Sequence, residues 1–178
     1  MRILAISGSL RAASVNTALL GAAQRLAPAG VEVAIYRELA LLPPFNPDED
    51  CDPPPRVAAL RAEIGASDGL ILASPEYAHG LPGAFKNALD WLVGSTEFPG
   101  KPVALINASP RAFHAQASLR EILSTMSANL VAEAFVTLKG PSEARSVDVL
   151  IGNPAIAGAL REGLGRFVAV LRAERMSA

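Results

Sequence analysis

Residues with chemical potential concentrate first in Ser7-Gly8-Ser9-Leu10-Arg11-Ala12-Ala13-Ser14-Val15-Asn16-Thr17, which follows the apolar run Ile3–Ile6 and leads into a helical pattern. A strand that ends in a Gly/Ser loop and turns into a helix gathers unpaired backbone N–H groups at the positive end of the helix dipole, where an anion can sit. Ser7, Ser9, Ser14, Asn16 and Thr17 add short hydrogen-bonding side chains. Arg11 adds a planar guanidinium able to grip a phosphate through two parallel bonds. A Ser-rich turn alone would serve equally well as a helix cap; Arg11 and Asn16 favour a phosphate cradle. No Gly-Lys-Ser/Thr follows, so this is not a Walker A loop, and the second and third glycines of a dinucleotide fingerprint are missing.

Two further loops carry chemistry. Ser74-Pro75-Glu76-Tyr77-Ala78-His79-Gly80-Leu81-Pro82-Gly83 combines two prolines and two glycines with a central aromatic. Such a loop can present backbone groups to a flat heterocycle while Tyr77 packs near its rings, although alone it is also an ordinary strand-to-helix turn. Ala108-Ser109-Pro110-Arg111-Ala112-Phe113-His114 supplies a hydroxyl, a second cation, an aromatic ring and an imidazole.

These loops must be positioned by alternating strands and helices. The periodicity predicts strands at Arg2–Ile6, Val31–Tyr36, Gly69–Ala73, Pro102–Asn107 and Leu130–Leu138. It predicts helices at Val15–Ala27, Arg56–Ala66, from Pro82 onward, Ala115–Ser127 and Pro154–Arg172. Residues 42–55 hold six of the 14 prolines and read as an irregular acidic surface loop. Near-continuous apolar strands alternating with helices indicate an α/β fold, a parallel sheet covered on both faces, and 2-1-3-4-5 is the leading strand order. In that order the loops after the first, third and fourth strands share one crevice at the switch point. Three polar loops, the first suited to phosphate, suggest a phosphorylated aromatic ligand, a mononucleotide.

Composition narrows the classes. One domain over residues 1–178 is expected from the length, and half of its residues are hydrophobic. A net charge of −1 and the absence of a dense Lys/Arg cluster argue against nucleic acid and anionic membrane as partners. The opening Met-Arg-Ile-Leu-Ala-Ile is too short an apolar run for a secretory signal, no stretch approaches a membrane span, and Cys51 is the only cysteine, so a cytoplasmic setting is expected. Asp48–Asp52 resembles the start of a calcium loop, but Pro53 and Ala59 occupy positions that need Gly and Glu. Two distant histidines and one cysteine do not make a zinc site, and no metal is expected.

The segments Leu4-Ala-Ile-Ser-Gly-Ser-Leu-Arg11 with Ser14 and Asn16, Ser74-Pro-Glu-Tyr77, and Pro82-Gly-Ala-Phe-Lys-Asn-Ala-Leu-Asp-Trp91 together resemble the NADPH-dependent FMN reductase family, over roughly residues 2–127. The resemblance implies a flavodoxin-like three-layer sandwich with a five-stranded parallel sheet. It implies non-covalent FMN, NADPH or NADH as electron donor, and assembly as a homodimer or homotetramer. Small-molecule acceptors of the family include quinones, chromate, azo compounds, arsenicals, ferric iron and free flavin. By the same resemblance Ser9, Arg11, Ser14, Asn16 and Thr17 hold the FMN phosphate. Pro75, Glu76, Tyr77, Ala78, His79 and Gly80 line the isoalloxazine, and Ser109 and Arg111 border it. Many members carry a glycine-rich stretch where this chain has Pro110–His114, a departure that bears on substrate choice.

No side chain is nominated as catalytic, because hydride transfer is the flavin's own chemistry. His79 and His114 read as loop histidines each making an ordinary hydrogen bond in preference to general acids. Glu76 reads as a contact through its backbone in preference to a helix-entry carboxylate, and Trp91 as core or subunit packing. Leu89, Trp91, Leu92 and Val93, with Leu119, Ile122 and Leu123, suggest an apolar interface, or burial under the proline loop. A flavodoxin-like electron carrier without NAD(P)H activity is the second reading; such carriers tend to be strongly acidic, which this chain is not.

Overall fold

Four apolar side chains in a row, Ile3 to Ile6, suit a strand covered on both faces. In the computed structural model, which describes residues 1–138 and 146–177, β1 (Arg2–Ser7) lies between β2 (Glu32–Tyr36) and β3 (Gly69–Ala73), parallel to both. β4 (Pro102–Asn107) follows β3, so the expected order 2-1-3-4-5 holds. Alternate residues feed two cores. Ile3, Ala5, Ile71, Ala73, Ala104 and Ile106 face α1 (Val15–Arg25) and the long C-terminal helix, whereas Leu4, Ile6, Leu70, Leu72, Val103 and Leu105 face α2 (Pro55–Gly65), α3 (Gly83–Val93) and α4 (Phe113–Thr125).

The fifth position departs from expectation. In place of one strand over Leu130–Leu138, two short pieces pair with β4: β5 (Asn129–Leu130) at its start and β6 (Val136–Thr137) at its end, with a 3-10 turn at Ala132–Ala134 between them. Ala-Glu-Ala has little strand preference, and the Glu133 carbonyl accepts from Arg166 Nη1 instead of joining the ladder. A short helix not anticipated from the sequence, α5 (Val147–Gly152), precedes α6 (Pro154–Ser177). Asn153 opens α6, its Oδ1 accepting from the Ala155 and Ile156 amides. Phe167 and Leu171 of α6 come so near the sheet that a Cβ on Gly69 would lie 2.8 and 2.9 Å from them.

The proline loop is anchored, and it settles where Trp91 goes. Trp91 Nε1 and Asn87 Nδ2 both donate to the Pro43 carbonyl, at 2.8 and 2.9 Å, and Asn87 Oδ1 accepts from Phe45 N at 2.7 Å. Phe45 stands edge-on to the Trp91 ring at 5.0 Å. Arg61 grips the other end, donating to the Trp91 carbonyl at 2.7 Å and pairing with Asp50. Leu89, Trp91, Leu92, Leu119 and Leu123 are therefore buried within one chain, and of that group only Val93 is largely exposed. The apolar stripe that suggested a subunit interface is covered by the protein's own loop and core.

Tyr36 ends β2 with its hydroxyl buried and unpartnered among the described residues. Burial pushes the phenol up to about 12, the nearby Glu38 and Glu63 carboxylates adding to the effect and Arg56 opposing it. Because the folded value lies above the ordinary 10.0, this contribution is complete below pH 10 and is lost as pH rises through 12. Tyr36→Phe should remove that alkaline component from urea-denaturation stability measured at a series of pH values. At neutral pH it should leave stability unchanged or raise it by up to about 1–3 kcal/mol, the cost of an unpaired buried hydroxyl. Asn87→Ala strips two anchors from the proline loop and should lower unfolding free energy by about 1–3 kcal/mol in the same assay.

Candidate flavin site

The first loop is held by its own hydroxyls. Ser7 Oγ accepts from Thr17 Oγ1 at 2.8 Å and from the Ser9 amide at 3.3 Å, and Ser9 Oγ accepts from the Arg11 amide at 3.3 Å. Ser14 is the N-cap of α1, with Oγ accepting from Thr17 N at 3.4 Å. Gly8 donates its amide to Ala73 O at 2.8 Å, and a Cβ there would meet Ser74 Oγ at 2.7 Å and Phe85 Cδ1 at 2.9 Å. Only glycine lets the first and third loops pass this closely.

The third loop is a tight two-residue hairpin. Tyr77 and Gly80 exchange N–H···O bonds of 3.0 and 2.9 Å around Ala78 and His79, whose φ values are +48° and +60°. Positive φ at two successive non-glycine residues is strained. Glu76 departs from the backbone-only reading: its Oε2 accepts from Ala115 N at 2.9 Å and so caps α4. That cap explains why α4 begins at Phe113, two residues before the expected start, although its flanking Ala112 offers no side-chain cap. The histidines also depart from expectation. Among the described residues neither imidazole makes a hydrogen bond; they stack on each other at 4.2 Å, and His114 packs on Phe113 at 3.9 Å.

The three loops enclose a crevice of about 340 Å³ at the carboxyl ends of β1, β3 and β4, within the range that small-molecule sites occupy. Of the expected site residues, Asn16, Pro75, Glu76, Ser109 and Arg111 line it. Ser14 and Thr17 line a separate groove along α1. Ser9, Arg11, Tyr77, Ala78, His79 and Gly80 lie on the same loops outside the lining, with Arg11, Tyr77, Ala78 and His79 exposed. The lining also includes Val15, Ser74, Asn107 and Ala112, which sequence reasoning did not nominate. Asn107 carried a usable signal: an Asn at a strand end that turns the chain, here by accepting from Ser109 N at 3.1 Å.

The residues present fit a ligand with a polar anionic tail and a flat head. Asn16 is buried on the crevice wall with its Oδ1 unpartnered. A buried amide oxygen without a partner costs about 1–3 kcal/mol unless a ligand O–H or N–H donates to it, and it is the Nδ2 of the same amide that can donate to an anion. Among the described residues neither Arg11 nor Arg111 is ion-paired, leaving both guanidiniums available to an anion.

The chain is similar to known proteins in sequence and in fold. An NAD(P)H-dependent FMN reductase of Pseudomonas aeruginosa is 39% identical over 129 residues, 69% of each chain. A 2-hydroxy-1,4-benzoquinone reductase of a Burkholderia species is 33% identical over 145 residues, 78% of this chain and 79% of its own. Among solved structures, FerB of Paracoccus denitrificans, a flavoenzyme NAD(P)H:(acceptor) oxidoreductase, superposes with a TM-score of 0.85 at 30% identity, covering 97% of both chains. The profile of the NADPH-dependent FMN reductases matches residues 1–141, and with the crevice in the place that the fold requires, the chain belongs to the NADPH-dependent FMN reductase family.

Proposed function

We propose that this protein is an FMN-dependent oxidoreductase that takes hydride from NADPH or NADH and reduces small acceptors of the quinone type. The observation that carries the reading is the convergence of three loops on one crevice whose wall holds the buried, unpartnered Asn16 amide beside the N-terminus of α1. Bound FMN supplies the hydride chemistry: NADPH, a proton and a quinone give NADP⁺ and a hydroquinone.

The chain's own residues bind and orient. Ser9, Arg11, Ser14, Asn16 and Thr17 surround the phosphate end, with the α1 dipole and loop amides stabilising its charge. The Thr17 hydroxyl and the Ser9, Arg11 and Thr17 amides donate within the loop, so the Ser14 hydroxyl, whose Oγ only accepts there, the remaining loop amides and Arg11 would carry most of the charge contact. Pro75 and Glu76 line the crevice and would form one wall for the ring, with Tyr77, Ala78, His79 and Gly80 continuing the same loop outside it and the Glu76 carboxylate keeping that wall fixed to α4. Ser109 and Arg111 line the crevice from the loop after β4, where Arg111 would offer a cation to bound flavin. None of these side chains needs to donate or abstract a proton for hydride to move.

Anaerobic stopped-flow mixing of FMN-loaded protein with NADPH tests the reading: flavin absorbance should bleach at a rate that saturates with NADPH. Bound flavin that NADPH leaves oxidised would make the protein an electron carrier. Arg11→Ala should weaken FMN binding by about 1.5–3 kcal/mol, measured by fluorescence titration, because it removes one charge-assisted contact.

A further inference from the structure

Beside the crevice three rings form a short ladder. His79 stacks on His114, with centroids 4.2 Å apart and planes inclined by 26°, and Phe113 lies against His114 at 3.9 Å. His79 comes from the loop after β3 and Phe113 and His114 from the first turn of α4, two segments tied together independently where Glu76 caps Ala115 N. Phe113 is 60% exposed and Tyr77 54%, in a protein whose other large aromatics are mostly buried. An exposed ladder of this kind gains little from burial, so core packing does not explain it.

The backbone beneath His79 points the same way. A two-residue turn of this type is ordinarily built from Asn-Gly or Gly-Gly, because both central residues need positive φ. Here Ala78 and His79 occupy those positions at +48° and +60°. Strain retained at a site mouth indicates that the side chain it presents is used. The charges are also one-sided: Arg111 lines the crevice two residues before Phe113 and is not ion-paired among the described residues. The one carboxylate in the lining, Glu76, is held by the Ala115 amide.

We propose that His79, His114 and Phe113 form the docking ledge for the electron acceptor, and that with Arg111 they select flat aromatic acceptors carrying a negative charge. The face of the ladder stacks the acceptor ring, and the imidazole N–H groups and the guanidinium receive its anionic substituent. A ledge of phenyl rings alone would take neutral and anionic acceptors alike. The inference rests on the proposed function for its redox step, but the ledge is a binding site in its own right.

Equilibrium binding to the oxidised, FMN-loaded protein tests it without turnover, using calorimetry with two redox-inert probes of the same shape, naphthalene-2-sulfonate and neutral naphthalene-2-sulfonamide. The sulfonate should bind at least about tenfold tighter, the difference expected of charge-assisted contacts. His79→Ala/His114→Ala should weaken both probes by at least about fivefold, from lost stacking. His114→Phe keeps a ring without its N–H donors; it should hold the sulfonamide and lose part of the sulfonate preference, Arg111→Ala should lose most of it, and His114→Phe serves if the double variant does not fold. In single-turnover reoxidation, the rate ratio of 1,4-naphthoquinone-2-sulfonate to 1,4-naphthoquinone should fall in the same variants. A sulfonate preference under about threefold, or one that His114→Phe leaves intact, overturns the ledge. Probe binding as expected together with flavin that NADPH does not bleach would overturn the proposed function and leave the ledge standing.

Discussion

The site depends on the crossing of two backbones at Gly8. There the chain leaving β1 donates its amide to the last residue of β3, and the volume that a methyl group would need is filled by Ser74 Oγ and Phe85. β1 and β3 are neighbours whose continuations diverge, one into α1 on one face of the sheet and the other into α3 on the opposite face. The gap opened by that divergence is the crevice, and the contact at Gly8 sets how narrow its floor is. Everything that follows in either loop inherits its starting position from this crossing.

From that floor the loops are stiffened mainly by one another. Ser7, Ser9, Ser14 and Thr17 satisfy groups within the first loop, Glu76 reaches from the third loop to the fourth, and Asn107 folds the fourth on itself. Among the described residues the groups left over are the Asn16 amide oxygen and the guanidiniums of Arg11 and Arg111, which are not ion-paired. A polar loop that held its shape only through the ligand would lose ordering entropy on binding; this one is largely organised beforehand.

How far the sequence was legible follows the range of the interactions involved. β3 and β4 match their expected spans, because a buried parallel strand writes itself as an unbroken apolar run. The start of α1 after the Gly/Ser loop was readable because strand, loop and helix are contiguous there. The start of α4 was not, since its capping carboxylate comes from Glu76, 39 residues upstream. The covering of Trp91 was hidden for the same reason, its partner Pro43 lying 48 residues away. The break in the fifth strand misled because Val131 and Phe135 bracket Ala-Glu-Ala with strand-forming residues. The histidine stack joins loops 35 positions apart, a distance across which no spacing rule operates.

The layer formed by α6 has a consequence for synthesis. Phe167, Val168 and Leu171 sit in the same core as Ile3, Ile71 and Ala104, so one face of the central sheet is completed by residues made sixty or more positions after the end of β4. During translation the other face, under α2, α3 and α4, can close first, while β1, β3 and β4 already present their apolar side chains on the open face. The nascent chain therefore passes through a stage with a formed crevice edge and a half-covered sheet. In that interval the apolar side chains that α6 will cover are open to association with neighbouring chains.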